Sequence, residues 1–195
     1  MATKKELRIR YKELRASLSP EKLERDSART CRQIAQSSEF RAAQTVHLFL
    51  PIRRQKELNT YPLLDEIFRS GKTAVVSVSD FSSASMTHLR LQKGDALLEN
   101  EFGIPEPLLP QELEPVRVDA IDLVLVPLLA YDCRGMRVGY GRGFYDRFLR
   151  ECRADTCKAG VSFFPPEKEP VSDAWSEDVA LDCCFTPQGK VTWLG

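Results

Sequence analysis

The run Ile121-Asp-Leu-Val-Leu-Val126, stopped by Pro127, is the most apolar stretch of the chain and the one that most limits its fold. It reads as a central strand that keeps water from both of its faces. Such strands belong to parallel sheets covered on each side by helices. Two other runs suit the same sheet. Thr45-Val-His-Leu-Phe-Leu50 ends at Pro51, and Thr73-Ala-Val-Val-Ser-Val78 follows Gly71. Between them lies a helix from a Thr60 cap to Arg69. Strand, helix and strand form a βαβ unit, which joins parallel neighbours.

The remaining elements fit around that unit. Residues 3 to 17 have helical periodicity, with Leu7, Tyr11 and Leu14 on one stripe. Ser19 caps and Pro20 opens a second helix that runs to about Gln36. Met86 to Leu91 alternates as a half-exposed strand, in which His88 reads as a cross-strand partner. Gly103-Ile-Pro-Glu-Pro107 is a rigid turn carrying Glu106, read as surface structure. A helix over 144 to 152 has Phe144, Tyr145, Phe148, Leu149 and Cys152 as its apolar face. A strand over 158 to 163, an irregular acidic stretch from 165 to 178, and strands Leu181 to Phe185 and Lys190 to Leu194 complete the chain. With no repeat or linker, residues 1–195 are expected to form one α/β domain of three layers, α/β/α, around a mostly parallel sheet.

Charge and cysteine usage narrow the setting. The 28 basic residues balance 28 acidic ones, so no global field recruits nucleic acid or a membrane. No apolar run reaches transmembrane length, and the first residues lack the apolar core of a secretory signal. The six cysteines are irregularly spaced, without paired metal-binding motifs. Reduced thiols, a cytoplasmic setting and a monomer are expected.

Gly135-Met-Arg-Val-Gly-Tyr-Gly-Arg-Gly-Phe-Tyr-Asp-Arg-Phe-Leu149 carries the chemistry. Gly139, Gly141 and Gly143 alternate with Tyr140 and Arg142, just before a helix. Glycines let a ligand approach the backbone, whose successive N–H groups can cradle an anion beside a helix N-terminus. Arg137 and Arg142 add planar forks suited to phosphate or carboxylate. The P-loop pattern is absent. The dinucleotide fingerprint also fails, because Phe144 stands where its third glycine belongs. A plain strand-to-helix turn is the bland reading. The interleaved arginines favour an oxyanion loop, most suited to a polyphosphate.

Arg137-Val-Gly-Tyr-Gly-Arg-Gly-Phe-Tyr-Asp146 resembles the signature of the 5-formyltetrahydrofolate cyclo-ligase family, also called methenyltetrahydrofolate synthetases. Lys4-Lys-Glu-Leu-Arg8, Glu57-Leu-Asn-Thr60, Gly103-Ile-Pro-Glu-Pro107 and Glu177-Asp-Val-Ala-Leu-Asp182 resemble other family segments, in order. The likeness spans nearly the whole chain. The loop Leu50 to Glu57 is longer than the family pattern.

The resemblance implies a fold of the NagB/RpiA/CoA transferase-like kind. It also implies ATP- and Mg²⁺-dependent closure of 5-formyltetrahydrofolate to 5,10-methenyltetrahydrofolate, releasing ADP and phosphate. Lys4 and Arg8, a helical turn apart, would clasp ATP phosphates with Arg137, Gly139, Tyr140, Gly141, Arg142 and Gly143. This revises the plainer reading of the first sixteen residues, net charge +4, as a solvated helix face. Asp146 and Asp178 would hold Mg²⁺, while Leu50, Glu57 and Tyr145 would meet the folate. Arg142 and Tyr145 would act in catalysis. The alternative from another class is a non-catalytic nucleotide- or phospho-ligand-binding regulator. Nucleic-acid binding through the basic N-terminal helix is disfavoured by the zero net charge.

Overall fold

The computed structural model describes residues 1–193, so the expected end of the last strand at Leu194 lies outside them. Helices α1 (Lys4–Ala16), α2 (Pro20–Ala35) and α3 (Ser38–Ala42) precede β1 (Thr45–His47), α4 (Tyr61–Arg69), β2 (Thr73–Asp80) and β3 (Ser85–Leu91). Then follow β4 (Leu97–Glu99), β5 (Pro105–Pro107), β6 (Leu123–Pro127), β7 (Ala130–Tyr131) and β8 (Arg137–Val138). The chain continues through α5 (Phe144–Glu151), β9 (Cys157–Val161), β10 (Cys183–Thr186) and β11 (Gly189–Thr192).

The main sheet has the order β11-β10-β9-β6-β1-β2-β3. Its five inner strands are parallel, and an antiparallel strand closes each edge. β6 is central, as its apolar run requires. Leu123 and Leu125 enter one core and Val124 and Val126 the other. All four are fully buried, each contributing on the order of 1.5–3 kcal/mol. β2 divides likewise, Ala74 and Val76 facing one way and Val75 the other. Ile34, Phe40, Leu63 and Ile67 cover the first face from α2, α3 and α4. Phe148 and Leu149 of α5 cover the second, giving the three layers. Leu7 and Tyr11 dock α1 on Leu129, Ala130 and Val138, around the β7–β8 ribbon.

Four local expectations change. Leu14 is 42% exposed, whereas Arg15 is 6% exposed and takes its place on the inner stripe. The strict i,i+4 repeat Leu7, Tyr11, Arg15 faces inward, and the Arg15 guanidinium finds acceptors there. β1 stops at His47, because Phe49 turns its carbonyl to the Thr60 hydroxyl (2.6 Å). That bond also occupies the Thr60 side chain, which makes no capping bond to α4. The turn over 103–107 forms a strand, β5, paired antiparallel with β4. Its prolines are tolerated in so short a ribbon because an outer edge needs no ladder donors. Glu106 Oε1 accepts from the Ser79 amide (3.0 Å), fastening this ribbon to β2.

All six cysteines are free thiols: Cys31, Cys183 and Cys184 buried, Cys152 and Cys157 half-buried, Cys133 exposed. Among the described residues no helix is long and apolar enough to cross a membrane.

Candidate active site

From β1 the chain crosses to β2 on one side, and from β6 to β9 on the other. Open α/β sheets bind ligands outside the carboxyl ends of their strands at such a reversal. A cavity of about 360 Å³ opens there, walled by Leu48, Phe49 and Leu50 beyond β1, Pro127 ending β6, and Ser77 and Ser79 on β2. Every residue given a role from the sequence, from Lys4 to Asp178, lines this one cavity.

One end is cationic. Residues 139–143 link β8 to α5, and Gly141 (φ +94°) and Gly143 (φ +72°) lie in the left-handed region. A β-carbon on Gly143 would also sit 3.0 Å from Arg147 Nη1. At Gly139 neither conformation nor a neighbour demands glycine. Thr3 and Glu6 form a capping box that starts α1 at Lys4. Lys4 Nζ then pairs with Asp178 Oδ2 (2.5 Å), and Arg8 Nε donates to the Gly139 carbonyl (2.9 Å). Asp178 Oδ2 also accepts from the Trp175 amide (2.7 Å). Arg137 is buried and donates to Asp146 Oδ1 (2.5 Å) and to the Val179 carbonyl. Burial lowers the Arg137 pKa, and the Asp146 charge opposes that shift. Arg142 is exposed, its guanidinium 5.5 Å from the centre of the Phe81 ring.

The other end is enclosed and acceptor-rich. The long 51–57 loop turns through Arg53–Gln55 and a left-handed Lys56 (φ +47°), which brings Glu57 back to the strand ends. Glu57 is buried. Its Oε2 accepts from the Ile52 amide (2.8 Å) and its Oε1 from the Tyr140 hydroxyl (2.5 Å). Burial raises the Glu57 pKa, against the pull of the Ile52 amide, the Tyr140 hydroxyl and the Arg15 charge. Tyr145 packs edge-on to His47 with ring centres 6.1 Å apart, so it joins the apolar packing and lines the cavity at once. Burial raises its phenol pKa, leaving a neutral hydroxyl able to donate or accept.

The acids expected on a metal lie at the cationic end, each already paired with a base. Among the described residues no group of three or more His, Cys, Asp or Glu is gathered as a metal cage. Among the described residues nothing donates to Asp146 Oδ2 or Asp178 Oδ1. Two monodentate oxygens suit a hard cation that keeps most of its shell for water and phosphate.

Sequence reasoning missed several lining groups. Phe81, Met86, Phe102 and Ile104 form an apolar wall, and His47 and Ser77 part of the floor. Ser77 Oγ lies 2.7 Å from His47 Nε2 and 2.9 Å from His88 Nδ1, so His88 does meet a cross-strand partner. Burial lowers the pKa of both histidines, that of His88 to about 4. Period-two alternation along β1 and β2, which sets His47 and Ser77 opposite the first core, was the available signal. Arg15 had no comparable signal.

The family model of the 5-formyltetrahydrofolate cyclo-ligase family matches residues 1–163. The 5-formyltetrahydrofolate cyclo-ligase of Escherichia coli K12 is 30% identical over 183 residues, covering 92% of this chain and 97% of its own. The mouse (Mus musculus) protein of that name is 28% identical over 155 residues, covering 77% and 75%. In structure, 5,10-methenyltetrahydrofolate synthetase of Aquifex aeolicus superposes with a TM-score of 0.81 at 30% identity, covering 98% of this chain and 93% of that one. The loop, the cavity at the strand reversal and these likenesses agree: the chain belongs to the 5-formyltetrahydrofolate cyclo-ligase family.

Proposed function

We propose that this protein closes 5-formyltetrahydrofolate to 5,10-methenyltetrahydrofolate, with ATP cleaved to ADP and phosphate. Family membership supports the reaction. The observation that carries it is a single cavity with a cationic loop at one end and a buried carboxylate at the other. A triphosphate needs the first and the N–H edge of a pterin needs the second.

The chemistry explains why two ends are required. The formyl oxygen on N5 is a poor leaving group. Its attack on the γ-phosphorus expels ADP and leaves the oxygen phosphorylated. The N10 lone pair then adds to the formyl carbon, the carbon–oxygen bond breaks, phosphate departs and N10 loses its proton. Positioning and charge neutralisation are the protein's main tasks. Lys4, Arg8, Arg137, Arg142 and the amides of the glycine loop would hold the triphosphate. Asp146 and Asp178 would hold Mg²⁺, which supplies further neutralisation of the phosphoryl oxygens when bound. Glu57 would accept from the pterin, Leu50 would pack on it, and the Tyr145 hydroxyl would lie beside the reacting formyl group. The free thiols support a reducing, cytoplasmic setting.

Methenyltetrahydrofolate absorbs in the near-ultraviolet where the formyl compound does not. Protein mixed with 5-formyltetrahydrofolate, ATP and Mg²⁺ is expected to raise that absorbance, and omission of either ATP or Mg²⁺ to abolish the rise. A flat trace with everything present overturns the reading. A flat trace with tight nucleotide binding would point to the regulator instead.

A further inference from the structure

The glycine loop is fastened at two adjacent residues to opposite ends of the cavity. The Gly139 carbonyl accepts from Arg8 Nε (2.9 Å), on the cationic side. The next side chain, Tyr140, reaches the other end, where its hydroxyl donates to Glu57 Oε1 (2.5 Å). That hydroxyl accepts in turn from Arg15 Nη1 (2.7 Å). Arg15 is anchored independently, because its Nη2 donates to the Leu128 carbonyl just beyond β6 (2.6 Å). Arg15 and Glu57 are each 6% exposed, so the chain Arg15–Tyr140–Glu57 runs through the interior.

A buried hydrogen-bonded chain is sensitive to geometry at both of its ends. Tyr140 is flanked by glycines, and Gly141 holds φ +94°, so the backbone on either side of its packed side chain keeps the freedom that glycine gives. An anion bound to the loop amides would restrict that backbone further, and with it the Tyr140 hydroxyl and the Glu57 oxygen to which it donates.

We propose that Tyr140 and Arg15 are positioning residues that couple the two substrates. Polyphosphate on the loop sets Tyr140, Tyr140 orients Glu57 for the pterin, and each ligand strengthens binding of the other. This rests on the reading of Glu57 as the folate acceptor. The Arg15 charge polarises the Tyr140 hydroxyl and favours the ionised, accepting form of Glu57. Linkage requires the coupling to be reciprocal, by a factor on the order of 5- to 10-fold.

The test is calorimetric titration of the non-hydrolysable analogue adenylyl imidodiphosphate with Mg²⁺, with and without saturating 5-formyltetrahydrofolate. For the unaltered protein the folate is expected to tighten analogue binding by about 5- to 10-fold. Tyr140→Phe removes a single hydroxyl and is expected to bring that factor close to one, whatever it does to analogue affinity in the folate-free protein. Arg15→Lys keeps the charge but replaces the planar fork that holds Leu128 and Tyr140 with a single nitrogen on a flexible stem, so it should give an intermediate factor. It also reads the same quantity should the phenylalanine variant fail to fold. A residue that merely stabilised the fold would weaken both ligands and leave the factor intact. An unaltered protein that binds both ligands without coupling, or a Tyr140→Phe protein with full coupling, overturns the proposal alone. An unaltered protein that binds the analogue but no folate overturns the folate assignment, and the proposal with it.

Discussion

Glu57 shows how little of a residue's role lies in its type. In sequence it is an acid at the end of a basic loop, Arg53 to Lys56, where a solvated surface charge is the ordinary expectation, and the family likeness alone marked it. Its chemistry comes from burial, which follows from the left-handed turn at Lys56 and the amide of Ile52, neither readable from residue type. Arg15 was hidden for the same reason: a buried arginine is identified by its acceptors, and Leu128 and Tyr140 are remote in the chain. Glu57→Gln tests the assignment. The amide keeps the shape but loses the charge that strengthens bonds from N–H donors, each such bond contributing about 1.5–3 kcal/mol. The expected result is a kcat/KM for the folate about 10- to 100-fold lower, carried mainly by KM. Affinity for adenylyl imidodiphosphate without folate should hold. Steady-state kinetics with a separate nucleotide titration checks both, and an unchanged folate KM would take Glu57 out of the pocket.

At the scale of elements, the strands buried on both faces were the most legible. The β6 run could sit nowhere but mid-sheet, and the βαβ unit through α4 followed from periodicity and Gly71. Short pieces whose partners lie far along the chain were not legible. β5 reads as a turn because its pairing with β4 and the Glu106 contact to Ser79 are tertiary. The strand histidines carry a pH consequence. His47 on β1 and His88 on β3 meet through Ser77 on β2, and burial holds both neutral. Their folded pKa values lie below the unfolded value of about 6.5, so the unfolded chain takes up protons first on acidification. Their stabilisation is therefore complete above about pH 6.5 and is lost as pH falls towards the His88 value of about 4. The thermal midpoint should drop between pH 6.5 and 5, above the range of most carboxylates. His88→Gln, neutral throughout, should drop less steeply. Equal slopes would mean that His88 does not govern acid stability.

For the whole molecule, the active-site candidate is a junction of distant segments. Lys4 and Asp178 meet across 174 positions of sequence, and the strand reversal between β1 and β6 makes Leu50 and Pro127 line one cavity. Neither arrangement follows from local pattern. The topology creates them, and segment order matched to a family supplied the expectation. The N-terminal helix thereby lines the cavity as well as belonging to the fold. A nucleotide that binds only the folded chain stabilises it by about 2.7 kcal/mol at a hundred times its Kd. In a domain of this size that raises the thermal midpoint by several degrees, at about 2–4 °C per kcal/mol. Replacing both Lys4 and Arg8 with methionine removes two charges proposed to meet the triphosphate but keeps Leu7 and Tyr11, which dock α1. Asp178 keeps its bond from the Trp175 amide. The ligand-free midpoint should therefore change little, while the shift produced by adenylyl imidodiphosphate and Mg²⁺ should fall by half or more. Differential scanning fluorimetry over a nucleotide series measures both quantities. A full ligand shift in the double variant would leave α1 as scaffold and move the triphosphate wholly onto the glycine loop.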